Sequence, residues 1–226
     1  MVSGARILME LYSFFRSSAS YRVRIGLNLK RIPYDTHGVN LSKDGGENRK
    51  LTYLVVNPQG KVPSLKLEDG RVLMQSMAIL EYLDETVPQP PFLPRDRFER
   101  AQVRSVANII ACDIHPLNNL AVLLYLKDRL GIEEQRRTEW YRHWVADGFG
   151  GIEPLLRDSP ETGRFCHGDA PGLADICLVP QVFNAQRFDC DLGPYPTIRR
   201  IFAECMKLEA FDIAQPSRQP EAADLA

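Results

Sequence analysis

The chain is short of several features, and each shortage removes a class of function. It has no surplus of positive charge: 28 Lys and Arg against 29 Asp and Glu leave a net charge of −1 over 226 residues. No basic field is therefore available to draw nucleic acid or anionic lipid. No apolar run approaches the roughly 18 residues of a membrane span, so no membrane partner is expected. The segment Met1–Met9 is too short and too mixed for a secretory signal. Cysteine is sparse and scattered: Cys112, Cys166, Cys177, Cys190 and Cys205 all lie from mid-chain onward and none forms a CxxC pair. An odd, dispersed set suggests neither a disulfide framework nor a metal centre and fits a reducing, cytoplasmic setting. His37, His143 and His167 show no metal-ligand spacing, so no metal is expected. Internal repeats and low-complexity segments are absent.

What is present divides near residue 90. Ile7–Phe14 reads as a strand, Tyr21–Lys30 as a helix and Tyr34–Asn40 as a second strand after the turn at Arg31-Ile32-Pro33. Val62–Leu67 and Arg71–Met74 flank Asp69-Gly70, a hairpin signal, and Ser76–Thr86 reads as a helix capped by Ser76. The order is β-α-β followed by β-β-α. Pro88, Pro90, Pro91 and Pro94 then fall close together, a density that neither a helix nor a central strand survives. Beyond them the pattern is helical. Val103, Val106, Ala107 and Ile110 share one face, and helical stretches follow near Leu117–Leu130, Glu134–Leu156, Leu173–Phe188 and Pro196–Lys207. The tail from Gln215 reads as loose. The expected organisation is an α/β domain over residues 1–87, a linker over 88–94 and an all-helical domain over 95–226.

Several motifs in this order resemble one family. Asn57-Pro58-Gln59-Gly60-Lys61-Val62-Pro63 resembles the segment of glutathione transferases that ends in a cis-proline. Gln75-Ser76 resembles their pair for the γ-glutamyl carboxylate, and Gly172-Leu173-Ala174-Asp175 their helix-start box. Phe15-Arg16-Ser17-Ser18-Ala19-Ser20-Tyr21-Arg22-Val23-Arg24 resembles the zeta-class signature; Leu178–Val182 and Pro194–Ile198 are also close to zeta sequences. The resemblance runs from Leu11 to about Gln219. It implies a thioredoxin-like N-terminal domain followed by an all-helical C-terminal domain, glutathione as cofactor and a homodimer. Two positions depart from the pattern: Ala19 stands where cysteine is usual, and Gly172 where Ser or Thr is usual. Glycine remains a tolerable N-cap and Asp175 can still meet free amides.

The candidate site residues follow from physics and resemblance together. Ser17 and Ser18 precede a helix, where unpaired backbone N–H groups and the helix dipole favour an anion. A thiol with pKa about 8.5 is only a few per cent ionised at neutral pH, and lowering that value by about two units requires about 2.7 kcal/mol of preference for the thiolate. A serine hydroxyl donating to sulfur, with helix amides, is a source of such preference; plain N-capping is the ordinary alternative use of the same serines. The resemblance points to Ser17 as the thiol partner, with Ser18 the alternative. It further implies that Val62, held by a cis bond to Pro63, pairs with the cysteinyl backbone of glutathione. Gln75 and Ser76 would hold its γ-glutamyl carboxylate, with Asn48 nearby.

Arg16, preceding the reactive serine, and Arg187 match arginines that zeta enzymes direct at the acidic ends of their substrates, a role that suits guanidinium forks. A surface ion pair is the ordinary role for either. His115 stands where mammalian-type maleylacetoacetate isomerases tend to carry glutamine. Maleylpyruvate isomerases share the histidine but carry an arginine where this chain has Leu120. His115 is expected on the glutathione or substrate side, with Asn119 as a nearby polar contact. The implied reaction is glutathione-dependent: thiolate addition to the cis double bond of maleylacetoacetate or maleylpyruvate, rotation, and expulsion to the fumaryl isomer. A general transferase or dehalogenase of small α-halo acids would use the same site. A non-catalytic glutathione-fold binding module would show loss of the serine or of Gln75-Ser76, and both are retained.

Overall fold

A computed structural model describes residues 8–225. The expectations for Met1–Ile7, including the start of the first strand at Ile7, lie outside the described residues. The chain forms two compact units.

The first unit runs through Pro90 and takes the chain back from Glu209 onward. Strands β1 (Met9–Ser13), β2 (Tyr34–Gly38), β3 (Ser64–Lys66) and β4 (Val72–Met74) form one sheet in the order β2-β1-β3-β4. β1 pairs with β2 in parallel and with β3 antiparallel, in a register that sets Leu11 against Leu65; β3 and β4 are antiparallel. Gly70 turns that hairpin at φ 88°, a conformation glycine adopts without strain. Helices α1 (Ser18–Leu29) and α3 (Ser76–Thr86) pack together, and the one-turn α2 (Leu51–Leu54) lies between them in sequence. Ile79, Leu80 and Leu83 form the buried stripe of α3, as their spacing predicts. α1 begins three residues before the expected Tyr21, because Ser17 Oγ accepts a hydrogen bond from Ser20 N at 3.2 Å and caps an earlier turn.

The return of the C-terminus differs from the expected division, which kept residues 95–226 together. Three side chains of α1 bond to the carbonyls of that segment: Tyr21 Oη to Phe211 O (3.4 Å), Arg24 Nε to Ala214 O (2.9 Å) and Asn28 Nδ2 to Ala210 O (3.1 Å). Phe211, on the one-turn α10 (Glu209–Asp212), and Ala214 are fully buried. The tail expected to be loose from Gln215 winds into 3₁₀ turns at Pro216–Arg218 and Pro220–Leu225. Gln219 Nε2 donates to Ile213 O, and Arg218 pairs with Asp212.

The second unit, Pro91–Leu208, is helical. It contains α4 (Arg97–Asn108), a wide π turn (Ile109–Ile114), α5 (His115–Asn118), α6 (Leu120–Asp128), α7 (Glu134–Arg157), α8 (Leu173–Arg187) and α9 (Pro196–Cys205). The helix expected over Leu117–Leu130 is divided at Asn119. That residue is extended (φ −72°, ψ 158°), and its side chain accepts from Val122 N to start α6. The helical run Arg97–Asp128 contains an 18-residue window apolar enough in composition to cross a membrane. It is not an unbroken apolar run, because Asp113, His115, Asn118 and Asn119 interrupt its apolar residues. The core lies around α8, where Leu173 to Val182 are buried, and along the α7 stripe Tyr141, Val145, Phe149, Ile152 and Leu156. A side chain at Gly148 would collide with Ile114, so glycine permits that close approach.

Candidate active site

β1 delivers the chain directly to the start of α1. Ser17 N donates to Phe14 O (2.9 Å) and closes a tight turn, which leaves Ser17 as the N-cap. Its Oγ accepts from Ser20 N, so the hydroxyl proton is still free to be donated. Capping and thiolate stabilisation are thus compatible, one using a lone pair and the other the proton. Ser17 is half-buried, whereas Ser18 is buried at 4% exposure. Arg16 is exposed and its guanidinium lies 4.9 Å from the centroid of the buried Phe15 ring. The turn is fixed from below by Arg24, which donates to Phe15 O and Ser13 Oγ, each at 3.0 Å. Burial pushes the Arg24 guanidinium down to about 10, still ionised at neutral pH.

The Val62–Pro63 bond is cis, as the resemblance implies; so is Gln89–Pro90. The approach to Pro63 is braced by Tyr53 Oη and Asn57 Nδ2, which both donate to Lys61 O at 2.6 and 2.7 Å. Asn48 Nδ2 donates to Gly60 O at 2.6 Å and so holds the same loop. Gln75, at φ 71°, precedes α3 with no side-chain cap bond; its amide donates to Gln59 Oε1 at 2.8 Å. Ser76, the first helical residue, is 6% exposed and its Oγ accepts from Arg22 Nη1 at 3.4 Å. The first unit therefore brings together Arg16, Ser17 and Ser18 at one helix start and Gln75 and Ser76 at another, on helices that pack against each other.

The remaining three candidates lie in the second unit. His115 opens α5 just after the π turn. Asn119 uses both ends of its amide locally, accepting from Val122 N and donating to Pro116 O at 2.5 Å. Arg187, in the last turn of α8, lies 4.8 Å from the Phe188 ring centroid, and that ring stacks on Tyr141 at 3.7 Å. Asn118 Nδ2 donates to Tyr141 O. Tyr141 thus links the His115–Asn119 segment to the end of α8. Burial pushes its phenol well up, opposed by the nearby Arg187 charge and by Asn184 and Gln181. Sequence reasoning missed Tyr141 and also Arg22. An aromatic inside an amphipathic helix reads as core, and a buried arginine has no local signal. Among the other histidines, His37 Nε2 lies 3.0 Å from Glu10, and His167 Nε2 lies 3.4 Å from Glu99; His167, Glu99 and Glu161 bring their ligand atoms within 4.8 Å of one another.

The helix starts differ in charge. α1 and α3 have no acidic residue in the first turn. In the second unit every helix of ten residues or more has a carboxylate at its start. Asp96 caps α4, Glu134 lies in the first turn of α7, Asp175 accepts from Gly172 N in α8, and Glu153 accepts from Thr197 N and Ile198 N in α9. The starts of α1 and α3 therefore keep positive potential for an outside anion, as does the start of the shorter α6, which Asn119 caps.

A model of the glutathione S-transferase N-terminal domain matches residues 16–86. The chain is 46% identical to a maleylacetoacetate isomerase of Pseudomonas aeruginosa, over 94% of this chain and 98% of that protein. It is also similar to the holo structure of a maleylpyruvate isomerase described as a bacterial zeta-class glutathione S-transferase. There the TM-score is 0.91 and identity 46%, covering 94% of this chain and 99% of the other. The chain belongs to the zeta-class glutathione transferases. A maleylacetoacetate isomerase structure from Methylobacterium extorquens, solved with malonate and glutathione, is a further neighbour. Its TM-score is 0.90 at 42% identity, covering 94% of this chain and 98% of that one.

The zeta-class site residues present here suit glutathione. The tripeptide carries a thiol, a peptide backbone and two carboxylates. The first unit offers a free serine proton at an acid-free helix start, a braced cis X–Pro loop and a second acid-free helix start with a buried hydroxyl. Ala19 leaves this set intact, because its side chain is buried (9% exposed) and offers no polar group to the cap. At the helix-start box, Gly172 lacks a capping side chain, yet Asp175 still receives bonds from Gly172 N and Cys166 N, both at 2.8 Å.

Proposed function

We propose that this chain is a glutathione-dependent cis–trans isomerase of maleylacetoacetate or maleylpyruvate, yielding the fumaryl isomer. The observation that carries the reading is the pair of carboxylate-free helix starts at Ser17 and Ser76, packed together in one unit beside a cis X–Pro loop. Glutathione, when bound, supplies a thiolate that adds reversibly to the cis double bond and so permits rotation. Ser17 donates its hydroxyl proton to that sulfur, and the first amides of α1 add their partial positive charge. Ser18, more deeply buried, is the alternative donor. Val62, Pro63 and Asn48 shape the loop for the peptide backbone, and Gln75 with Ser76 receives the γ-glutamyl carboxylate. Arg16 and Arg187 bind and orient the acidic ends of the diacid, and His115 and Asn119 add polar contacts.

The same proposal includes a soluble, cytoplasmic homodimer. All five cysteines are free thiols, which suits a reducing compartment. Large apolar side chains stand exposed on each unit, Leu51 and Val55 on the first and Phe98 and Tyr125 on the second. Such residues suit an interface in which the first unit of one subunit meets the second unit of its partner. Sedimentation showing only monomer at micromolar concentration contradicts the dimer. The deciding assay is ultraviolet-monitored turnover of maleylacetoacetate against maleylpyruvate, with and without glutathione. Turnover of either that requires glutathione supports the isomerase; no turnover of either refutes it, and the ratio names the substrate.

A further inference from the structure

Among the described residues of the first unit, the charged side chains at or below 5% exposure are cations: Arg22, Arg24 and Lys30. Lys30 is matched by Asp84 at 2.7 Å. Arg24 spends its donors on Ser13, Phe15 and Ala214, holding the turn before α1. Arg22 has a different target. It lies one turn inside α1, and helical side chains lean toward the N-terminus of their helix. Its Nη1 reaches across to Ser76 Oγ at the start of α3, 54 residues away in sequence.

We infer that Arg22 is the positioning residue for the carboxylate bound at the start of α3, acting through Ser76. By donating to the lone pair of Ser76 Oγ it turns the hydroxyl proton away from itself, toward an incoming anion. The relay runs from guanidinium to hydroxyl to carboxylate, and each donation strengthens the next. A full positive charge buried at 1% exposure also acts through a medium that screens it far less than water does. α3 has no acidic residue in its first turn. The ligand class is a carboxylate, and within the proposed function, on which this inference rests, it is the γ-glutamyl α-carboxylate of glutathione. Lysine could supply the charge but not the planar fork that is packed here.

The test compares glutathione with γ-aminobutyryl-cysteinyl-glycine, which lacks only that carboxylate, by calorimetry on the whole protein. Arg22→Met is expected to weaken glutathione about 10- to 100-fold, the scale of a lost charge-assisted bond. The analogue should weaken less than about threefold, and Arg22→Lys should recover part of the loss for glutathione alone. In turnover the loss should fall on KM for glutathione more than on kcat. Equal weakening of both ligands, or no weakening of either, overturns the role of Arg22. If the unmodified protein binds the analogue as tightly as glutathione, the carboxylate does not sit at α3, and the site reading fails instead. Should Arg22→Met not fold, nitrogen NMR of the unmodified protein decides, with the Arg22 Nε signal assigned by its loss in Arg22→Lys. That signal should shift with glutathione and not with the analogue; the same response to both overturns the inference.

Discussion

In the first unit, α1 and α3 begin without a carboxylate and have buried arginines beneath them. In Pro91–Leu208, α8 and α9 begin on the buried carboxylates Asp175 and Glu153. Among the described residues the most deeply buried charged side chains divide the same way, with Arg22, Arg24 and Lys30 in one unit and Glu153 and Asp175 in the other. The backbone problem is identical in both, since each helix exposes four unpaired N–H groups. Where the protein supplies the anion, the helix start is closed and structural. Where it supplies extra positive charge instead, the start is open to a ligand anion. Changes at the first kind should cost stability, and changes at the second should cost binding or turnover.

The sharpest way to break this contrast is Ser17→Ala. We expect turnover to fall about 100-fold, the scale of a lost donor to developing charge. The thiol pKa of bound glutathione, followed by thiolate absorbance, should rise toward its free value. Glutathione affinity should change less, because the α3 site is untouched. Unchanged turnover would pass the role to Ser18 or to the helix amides.

Asp175→Ala tests the opposite kind of start. It strands the buried Cys166 amide and the part-buried Gly172 amide, which should cost about 2–4 kcal/mol in a denaturation curve. Activity per folded molecule should stay near its original value. If activity falls with no loss of stability, the distinction between closed and open starts is wrong.

Arg16→Ala and Arg187→Ala should each weaken diacid binding by about 1.5–3 kcal/mol, with little effect on a neutral halo-ester. Equal losses on both substrates would remove the carboxylate clamp.

The smallest effect is electrostatic. The Lys66 ammonium, 2.7 Å from Glu10, holds that carboxyl below its usual range, with His37 adding to the effect. A depressed carboxyl stabilises the fold above its ordinary pKa and loses that contribution as pH falls through its folded value. The pair is near the surface and screened by solvent, so its share is small. Glu10→Gln should flatten the acid limb of the stability profile slightly, while Asp175, which burial pushes upward, should act in the reverse sense. An unchanged acid limb in Glu10→Gln would show that the pair contributes nothing.

Much of the first unit was legible because its signals are local. Asp69-Gly70 turned as expected, Ser76–Thr86 is helical over that span, and Ser17 sits at a helix cap. Periodicity and capping act within a few residues, so sequence order suffices to read them. The division of the predicted Leu117–Leu130 helix at Asn119 was missed although Pro116 stands nearby, because proline is tolerated in a first helical turn.

By itself the sequence determined that α3 starts at Ser76, that Ser17 and Ser18 stand just ahead of the first helix, and, through the family resemblance, that a cis X–Pro motif lies between the two helices. Only the tertiary structure decided that Arg22 meets Ser76 across 54 residues, that Arg24 joins β1 to the returning C-terminus, and that Tyr141 links Asn118 to Phe188 beside Arg187. The reason is physical. A cap is satisfied by its own neighbours, whereas the partner of a buried charge is chosen by the packing of elements distant in sequence, where desolvation forces each charge to find one.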